Sequence, residues 1–273
     1  MTVKKLIAAA VTLLAAALFA AEARAEDSST EELAKKLQNP VAPIINVPIQ
    51  NNYNWNVGQE HDGNVYMLRV QPVIPLPFNR EYAVVSRTVL PFMSQDKVLG
   101  ASSQTGLGDT EQSFFFTPMK PSSDGLKWGA GPLFYLPTAT NPELGAEKWG
   151  LGPTGVILTQ NGPWTAGLLA NHIWSVAGHK DRPELNQTYL KPFGAYTFHN
   201  GFSINATLES DYDWRKAEWS LPFVAGASKV LSLGTHRLSV GGMLTYDPEM
   251  LASNKLGLRA VVTLLLPVHV KEN

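Results

Sequence analysis

From about residue 46 onward the chain alternates apolar and polar residues with a period of two. Phe202, Ile204, Ala206, Leu208 and Tyr212 fall on one face of a stretch, with Ser203, Asn205, Thr207, Glu209, Asp211 and Asp213 on the other. Ile49, Tyr53, Trp55 and Val57 oppose Gln50, Asn52, Asn54 and Asn56; Tyr66, Leu68, Val70 and Ile74 oppose Met67, Arg69 and Gln71. A period of two is the signature of strands with one apolar and one polar face. Twelve such stretches are predicted, at 46–57, 64–75, 81–94, 108–118, 126–137, 147–160, 163–177, 186–198, 202–213, 217–230, 236–246 and 256–268.

The helical period occurs once, over residues 28–38. There Ser29 and Glu32 have capping-box spacing, Glu31/Lys35 and Glu32/Lys36 are i,i+4 pairs, and Leu33 and Leu37 form a thin apolar stripe. Asn39-Pro40 ends the helix, and Pro43 makes the next segment extended. Ahead of it, Lys4 and Lys5, the apolar stretch Leu6 to Ala20 and Ala23-Arg24-Ala25 read as a secretory signal peptide over 1–25. The expected organisation is a leader at 1–25, a periplasmic helical segment at 26–45 and a barrel at 46–273.

The connections alternate in length. Those near 76–80, 161–162, 199–201 and 231–235 are tight and 119–125 moderately so, whereas those near 95–107, 138–146, 178–185 and 247–255 are mostly longer and polar, with shorter ones at 58–63 and 214–216. Short turns on one side and longer loops on the other predict an all-β, up-and-down antiparallel transmembrane barrel of about twelve strands with a short N-terminal helix. An even strand count puts both ends of the barrel on the short-turn, periplasmic side. All seven tryptophans fall near strand ends, as in two aromatic girdles. Trp128-Gly-Ala-Gly-Pro132 and Trp149-Gly-Leu-Gly-Pro153 echo each other, and glycines two apart leave one face open to a close approach.

Composition fits that architecture. Only 16% of the 273 residues are charged, against roughly a quarter in a soluble domain, while 44% are hydrophobic. With 22 Lys+Arg against 23 Asp+Glu there is no basic excess for nucleic acid, and with no cysteine there is no disulfide scaffold or Cys-ligated metal. No cofactor is expected.

If the apolar faces meet lipid, the mid-strand charges Arg69, Arg87, Glu111, Lys191, Glu209, Asp211 and Arg259 line the pore. On the lipid face each would cost roughly 2–4 kcal/mol. A three-residue turn His199-Asn200-Gly201 pairs 198 with 202 and sets Lys191 opposite Glu209 in the lumen. Arg69 and Arg87 on adjacent strands call for an acid, and Glu111 is the nearest candidate. Twelve strands tilted by roughly 40° give a backbone diameter of roughly 24 Å, narrow enough for side chains to fill. Leu33 and Leu37 are candidate plug contacts.

Catalysis is not expected. His172 and Ser175 lie three apart in a strand and so face opposite sides, away from a pairing with each other or with Asp211. The six histidines lack metal-ligand spacing.

Several segments resemble a family of outer-membrane transporters labelled MetA-pathway of phenol degradation. They are Pro40-Val-Ala-Pro43, Val47-Pro-Ile-Gln-Asn-Asn-Tyr53, Gln71-Pro-Val-Ile-Pro75, Ser86-Arg-Thr-Val-Leu-Pro91, Gly106-Leu-Gly-Asp109, Ser113-Phe-Phe-Phe116, Leu136-Pro-Thr-Ala139, Gly162-Pro-Trp164, Asn171-His-Ile-Trp174, Asn186-Gln-Thr188 and Glu209-Ser-Asp-Tyr-Asp-Trp214. The resemblance implies an outer-membrane barrel that passes small solutes, including hydrophobic or aromatic compounds, and supplies no site residues. The chain departs from many such barrels in ending without an aromatic residue. The expected partners are outer-membrane lipids, a small-molecule solute and the barrel assembly machinery, in the outer membrane of a Gram-negative bacterium after export to the periplasm. Two alternatives are a non-conducting structural or adhesion barrel with a plugged lumen, and a secreted soluble β-sandwich.

Overall fold

A computed structural model describes residues 28–98, 102–123, 125–233, 236–250, 252–253 and 255–266. The proposed leader, the side chain of Ser29 and the last seven residues lie outside the described residues. The helix α1 spans Ser28–Leu37. Sixteen strand segments follow: β1 (Ile45–Val57), β2 (Gly63–Val70), β3 (Val73–Pro77), β4 (Tyr82–Asp96), β5 (Ser103–Leu107), β6 (Thr110–Pro118), β7 (Leu126–Leu136), β8 (Lys148–Asn161), β9 (Trp164–Gly178), β10 (Asn186–Thr197), β11 (Phe202–Leu208), β12 (Ser210–Asp213), β13 (Glu218–Ser220), β14 (Phe223–Leu233), β15 (His236–Tyr246) and β16 (Leu256–Leu266).

β2 with β3, β5 with β6, β11 with β12 and β13 with β14 are pieces of single staves, so the staves number twelve. Each break falls at residues that interrupt a ladder or turn the chain: Gln71-Pro72, Gly108-Asp109, Glu209 and Leu221-Pro222. Neighbouring staves pair antiparallel, and β1 pairs with β16 from Ile45↔Leu266 to Asn54↔Gly257. That pairing closes the sheet into a barrel with no free edge, the condition for strands to cross a membrane. Among the described residues no helix is long and apolar enough to do so.

The outer wall carries the apolar positions that a solvated fold would hide. Ile74, Leu76, Leu151, Ile157, Ile204 and Leu244 are all exposed. Six tryptophans are exposed as well: Trp149, Trp174, Trp214 and Trp219 toward the long-loop rim, Trp128 and Trp164 toward the short-turn rim. Trp164, Tyr196, Phe198 and Phe202 form a ladder of ring contacts at the short-turn rim, with centroids 4.8 to 5.8 Å apart. Indole bodies with polar N–H groups suit the lipid headgroup level.

The inner wall differs from the expectation that it is polar throughout. Val41, Val73, Val85, Phe115, Val156, Leu158 and Leu169 form a buried cluster inside the barrel, with Tyr189 and Phe193 packed against it. The strands that supply it are apolar on both faces, as in Phe114-Phe115-Phe116 and Val156-Ile157-Leu158. Lipid takes one set and the interior core takes the other.

Val41 is not a strand residue. It enters the lumen from the segment after α1 and lies 3.0 Å from where a Cβ would stand on Gly129. One of the two predicted small faces thus admits the N-terminal segment. On Gly131 a Cβ would collide with the Phe114 carbonyl, and on Gly152 with that of His172, so these glycines let neighbouring backbones close up.

Candidate functional site in the lumen

The three-residue turn forms as the register argument requires. The Phe198 N–H donates to the Phe202 carbonyl at 2.8 Å, and Gly201 has φ +73°. From it β10 and β11 pair as Thr197↔Ser203 up to Phe193↔Thr207, and β12 continues the same register to Leu190↔Ser210. Lys191 and Glu209 are thereby placed opposite each other on the inner wall, with Nζ 3.0 Å from Oε1.

Glu209 also meets Arg259 across the barrel. Arg259 donates from Nη1 to Oε1 at 2.8 Å and from Nη2 to Oε2 at 2.9 Å, while its Nε donates to Asn52 Oδ1 at 2.7 Å. One carboxylate therefore serves two cations, and the planar guanidinium supplies a two-pronged grip. Glu209 sits in the break between β11 and β12, and its N–H donates to the Pro222 carbonyl at 2.8 Å. The irregularity fixes its backbone while its side chain points into the lumen.

Glu111 is not the acid for Arg69 and Arg87: among the described residues it forms no ion pair within 4.0 Å with either. Arg87 Nη2 instead donates to Gln71 Oε1 at 2.9 Å, and Arg69 Nε points to the Met67 sulfur at 3.0 Å. Gln71 lies at the break between β2 and β3, which carries its amide to Arg87 first.

These residues separate two cavities. The inner one, of about 280 Å³, has Leu37, Asn39 and Pro40 at its floor, and the charged groups that line it are Arg87, Lys191 and Arg259. The outer one, of about 320 Å³, is lined by Arg69, Arg87, Asp109, Glu111, Glu209 and Asp211 among others. Gln71, Arg87 and Tyr189 border both and form the waist. All seven predicted charged residues thus face the interior.

A segment of the chain packs into each end of the lumen. On the short-turn side, Leu33 and Leu37 pack against the inward-facing Val230 and Leu265, with Ala34 buried between them. Gln160 Nε2 donates to the Lys35 carbonyl at 2.8 Å, and His199 Nδ1 lies 2.7 Å from Glu31 Oε2. Glu31 also holds Lys35 at 2.5 Å. The Lys35 hydrogen bond first, and then that of His199, lowers the Glu31 carboxyl below its ordinary pKa.

On the long-loop side the segment 137–147 folds inward, and buried Leu144 lines the outer cavity. Asp109 accepts from the Ala139 N–H at 3.0 Å and the Ala146 N–H at 2.6 Å. Arg182 from the neighbouring loop donates to the Pro142 carbonyl at 2.7 Å and also reaches the Gly145 carbonyl. Beside it the exposed Glu184 pairs with buried Lys148 at 2.6 Å. Lys148 first, then Ser175, lowers the Glu184 carboxyl below its ordinary pKa.

Val41, Gln71, Asp109, Leu144 and Tyr189 escape the charge-based reading. Val41 and Leu144 are apolar residues of connecting segments, where no periodicity marks them. The inward parity of Gln71 and Tyr189 was legible, but their place at the waist depends on the strand break and the stagger of the barrel.

His172 lies on the outer wall, with Nδ1 2.7 Å from Thr188 Oγ1 and its ring 4.1 Å from that of Trp174. Ser175 bonds Glu184 and Leu185, and Asp211 faces the lumen, so these three side chains are not brought together. Among the described residues no group of three or more His, Cys, Asp or Glu side chains is placed to hold a metal ion.

No family model and no curated protein matches the chain. Among solved structures it is similar to an outer membrane channel from Pseudomonas putida F1, at 15% identity and a TM-score of 0.62, over 82% of this chain and 96% of that one. It is also similar to outer membrane phospholipase A from Escherichia coli, at 14% identity and a TM-score of 0.48, over 89% and 99% of the two chains. A porin aligns at 8% identity and a TM-score of 0.40, over 82% and 99%. The fold is that of outer-membrane β-barrel proteins. One expectation is corrected: the absence of catalysis, expected from the spacing of His172 and Ser175, does not stand, because an enzyme, outer membrane phospholipase A, is among the similar barrels.

Proposed function

We propose that the chain is an outer-membrane channel that passes small solutes through a charged waist, with residues 28–43 as its periplasmic plug. The observation that carries this reading is the pair of stacked cavities inside a closed barrel, sharing Gln71, Arg87 and Tyr189. Chambers joined at a constriction that carries a fixed charge, here Arg87, select among solutes by size and sign. The resemblance to phenol-degradation transporters adds the solute class, hydrophobic or aromatic compounds. Residues 1–25 direct export, and the barrel assembly machinery inserts the chain among outer-membrane lipids.

Planar-bilayer recording tests the reading. Purified protein conducts, and Arg87→Glu shifts its selectivity toward cations. Protein that inserts, shows heat-modifiable gel mobility and never conducts overturns it.

The apolar cluster inside the barrel favours a second reading, a non-conducting structural or adhesion barrel with a plugged lumen. That reading predicts no change in solute uptake when the protein is deleted.

A further inference from the structure

We infer that the inner chamber is a binding site for a small organic carboxylate, one with an anionic head and an apolar body. This rests on the channel reading only for how the solute arrives.

Three features carry it. First, the charge along the lumen is divided. Among the described residues, the inner chamber is bordered by Arg87, Lys191 and Arg259 and by no acidic side chain, whereas the outer chamber is bordered by four acids and two arginines. Second, the three cations are not equivalent. Lys191 and Arg259 share Glu209, but Arg87 has no acidic partner within 4.0 Å among the described residues. Its one side-chain hydrogen bond there is to the neutral Gln71 amide. A guanidinium carries five N–H donors in a planar fork that matches a carboxylate. Third, the chamber below Arg87 has apolar walls, among them Val73, Leu169, Phe193 and Val261. At about 280 Å³ it stands at the small end of ligand sites.

A solute lacking charge leaves Arg87 without an acid, and a cation is repelled by Arg87 and by the net positive charge of the Lys191–Glu209–Arg259 group. An anion lacking an apolar body gains nothing from the walls. The acids of the outer chamber raise a barrier against an anion returning outward, so the bound head stays at the waist with its body toward the periplasm.

Calorimetry on the detergent-solubilised full-length barrel tests this, with benzoate, cyclohexanecarboxylate, benzyl alcohol and benzylammonium as probes. Both carboxylates bind, roughly tenfold or more tighter than the alcohol, as one charge-assisted hydrogen bond predicts. Benzylammonium does not bind. Arg87→Gln brings the carboxylates down to the level of the alcohol. Gln71→Glu does the same with the arginine kept, by supplying an internal acid, and so covers the case in which Arg87→Gln fails to fold. Equal binding of alcohol and carboxylate, or carboxylate binding unchanged in either folded variant, overturns the inference. Carboxylate binding by a barrel that never conducts sinks the channel reading and leaves this one standing. Conduction without carboxylate preference does the reverse.

Discussion

Arg259 and Glu209, fifty residues apart, face each other across the lumen through two parallel N–H···O bonds of 2.8 and 2.9 Å. Their side chains are only 7% and 12% exposed. Breaking a buried pair from one side costs more than deleting it, because the remaining charge keeps its desolvation penalty. Here the loss falls on two cations, since Lys191 leans on the same carboxylate. Glu209→Gln is expected to destabilise the barrel by about 3–5 kcal/mol. Urea unfolding followed by loss of the heat-modifiable band measures it. Replacing all three, Glu209→Leu with Arg259→Met and Lys191→Met, recovers much of that loss; a triple variant worse than the sum of the singles contradicts this account.

The seating of α1 is apolar at its centre. Leu33, Ala34 and Leu37 rest on Val230 and Leu265, and Val41 continues the contact deeper into the lumen. Fully burying a leucine side chain is worth about 1.5–3 kcal/mol, so partly buried Leu33 and Leu37 each contribute less. Deleting residues 26–42 is expected to raise single-channel conductance severalfold, and Leu37→Asp to give frequent brief openings. Unchanged conductance after the deletion would remove the plug from the proposal.

At the opposite rim the inward loop hangs on Asp109 and Arg182. Asp109→Ala removes the acceptor for two backbone N–H groups, at roughly 1.5–3 kcal/mol for each bond to a charged group. Leu144 should then leave the outer chamber. Cleavage within 137–147 by external protease on intact cells is expected to rise, and Arg182→Ala should do the same more weakly. Equal resistance in both variants would mean that the loop is held by its apolar contacts.

The barrel was legible because a lipid-facing wall enforces alternation on each stave, and a one-residue slip would turn Lys191 outward. Electrostatics at that one position therefore fixed the turn at Gly201 and the meeting with Glu209. The lumen's filling was less legible. Where both faces of a strand are apolar, as along Phe114–Phe116, alternation cannot say which side chains meet lipid and which meet Val41. The partner of Arg87 is hidden in the sequence for a related reason. Gln71 reaches it because Pro72 breaks the ladder, whereas strand order alone points to Glu111.

The contact between α1 and the β10–β11 turn has a pH dependence whose sign follows from Glu31. Its carboxylate meets Lys35 and His199 only when the helix is folded and docked, and these hydrogen bonds depress its pKa below the ordinary 4.5. A depressed carboxylate contributes stability above its unperturbed pKa and loses it as pH falls through the lowered value. Docking should hold at neutral pH and weaken as the solution is acidified below 4.5. Conductance recorded from pH 7 downward is expected to stay flat and then rise in the acid range. In Glu31→Gln the acid step should vanish, with baseline openings already more frequent at neutral pH. His199 is 92% exposed, so high salt should weaken its contact and lift the baseline without moving the acid step out of that range. An acid step that persists in Glu31→Gln would assign it to another group and detach it from the plug.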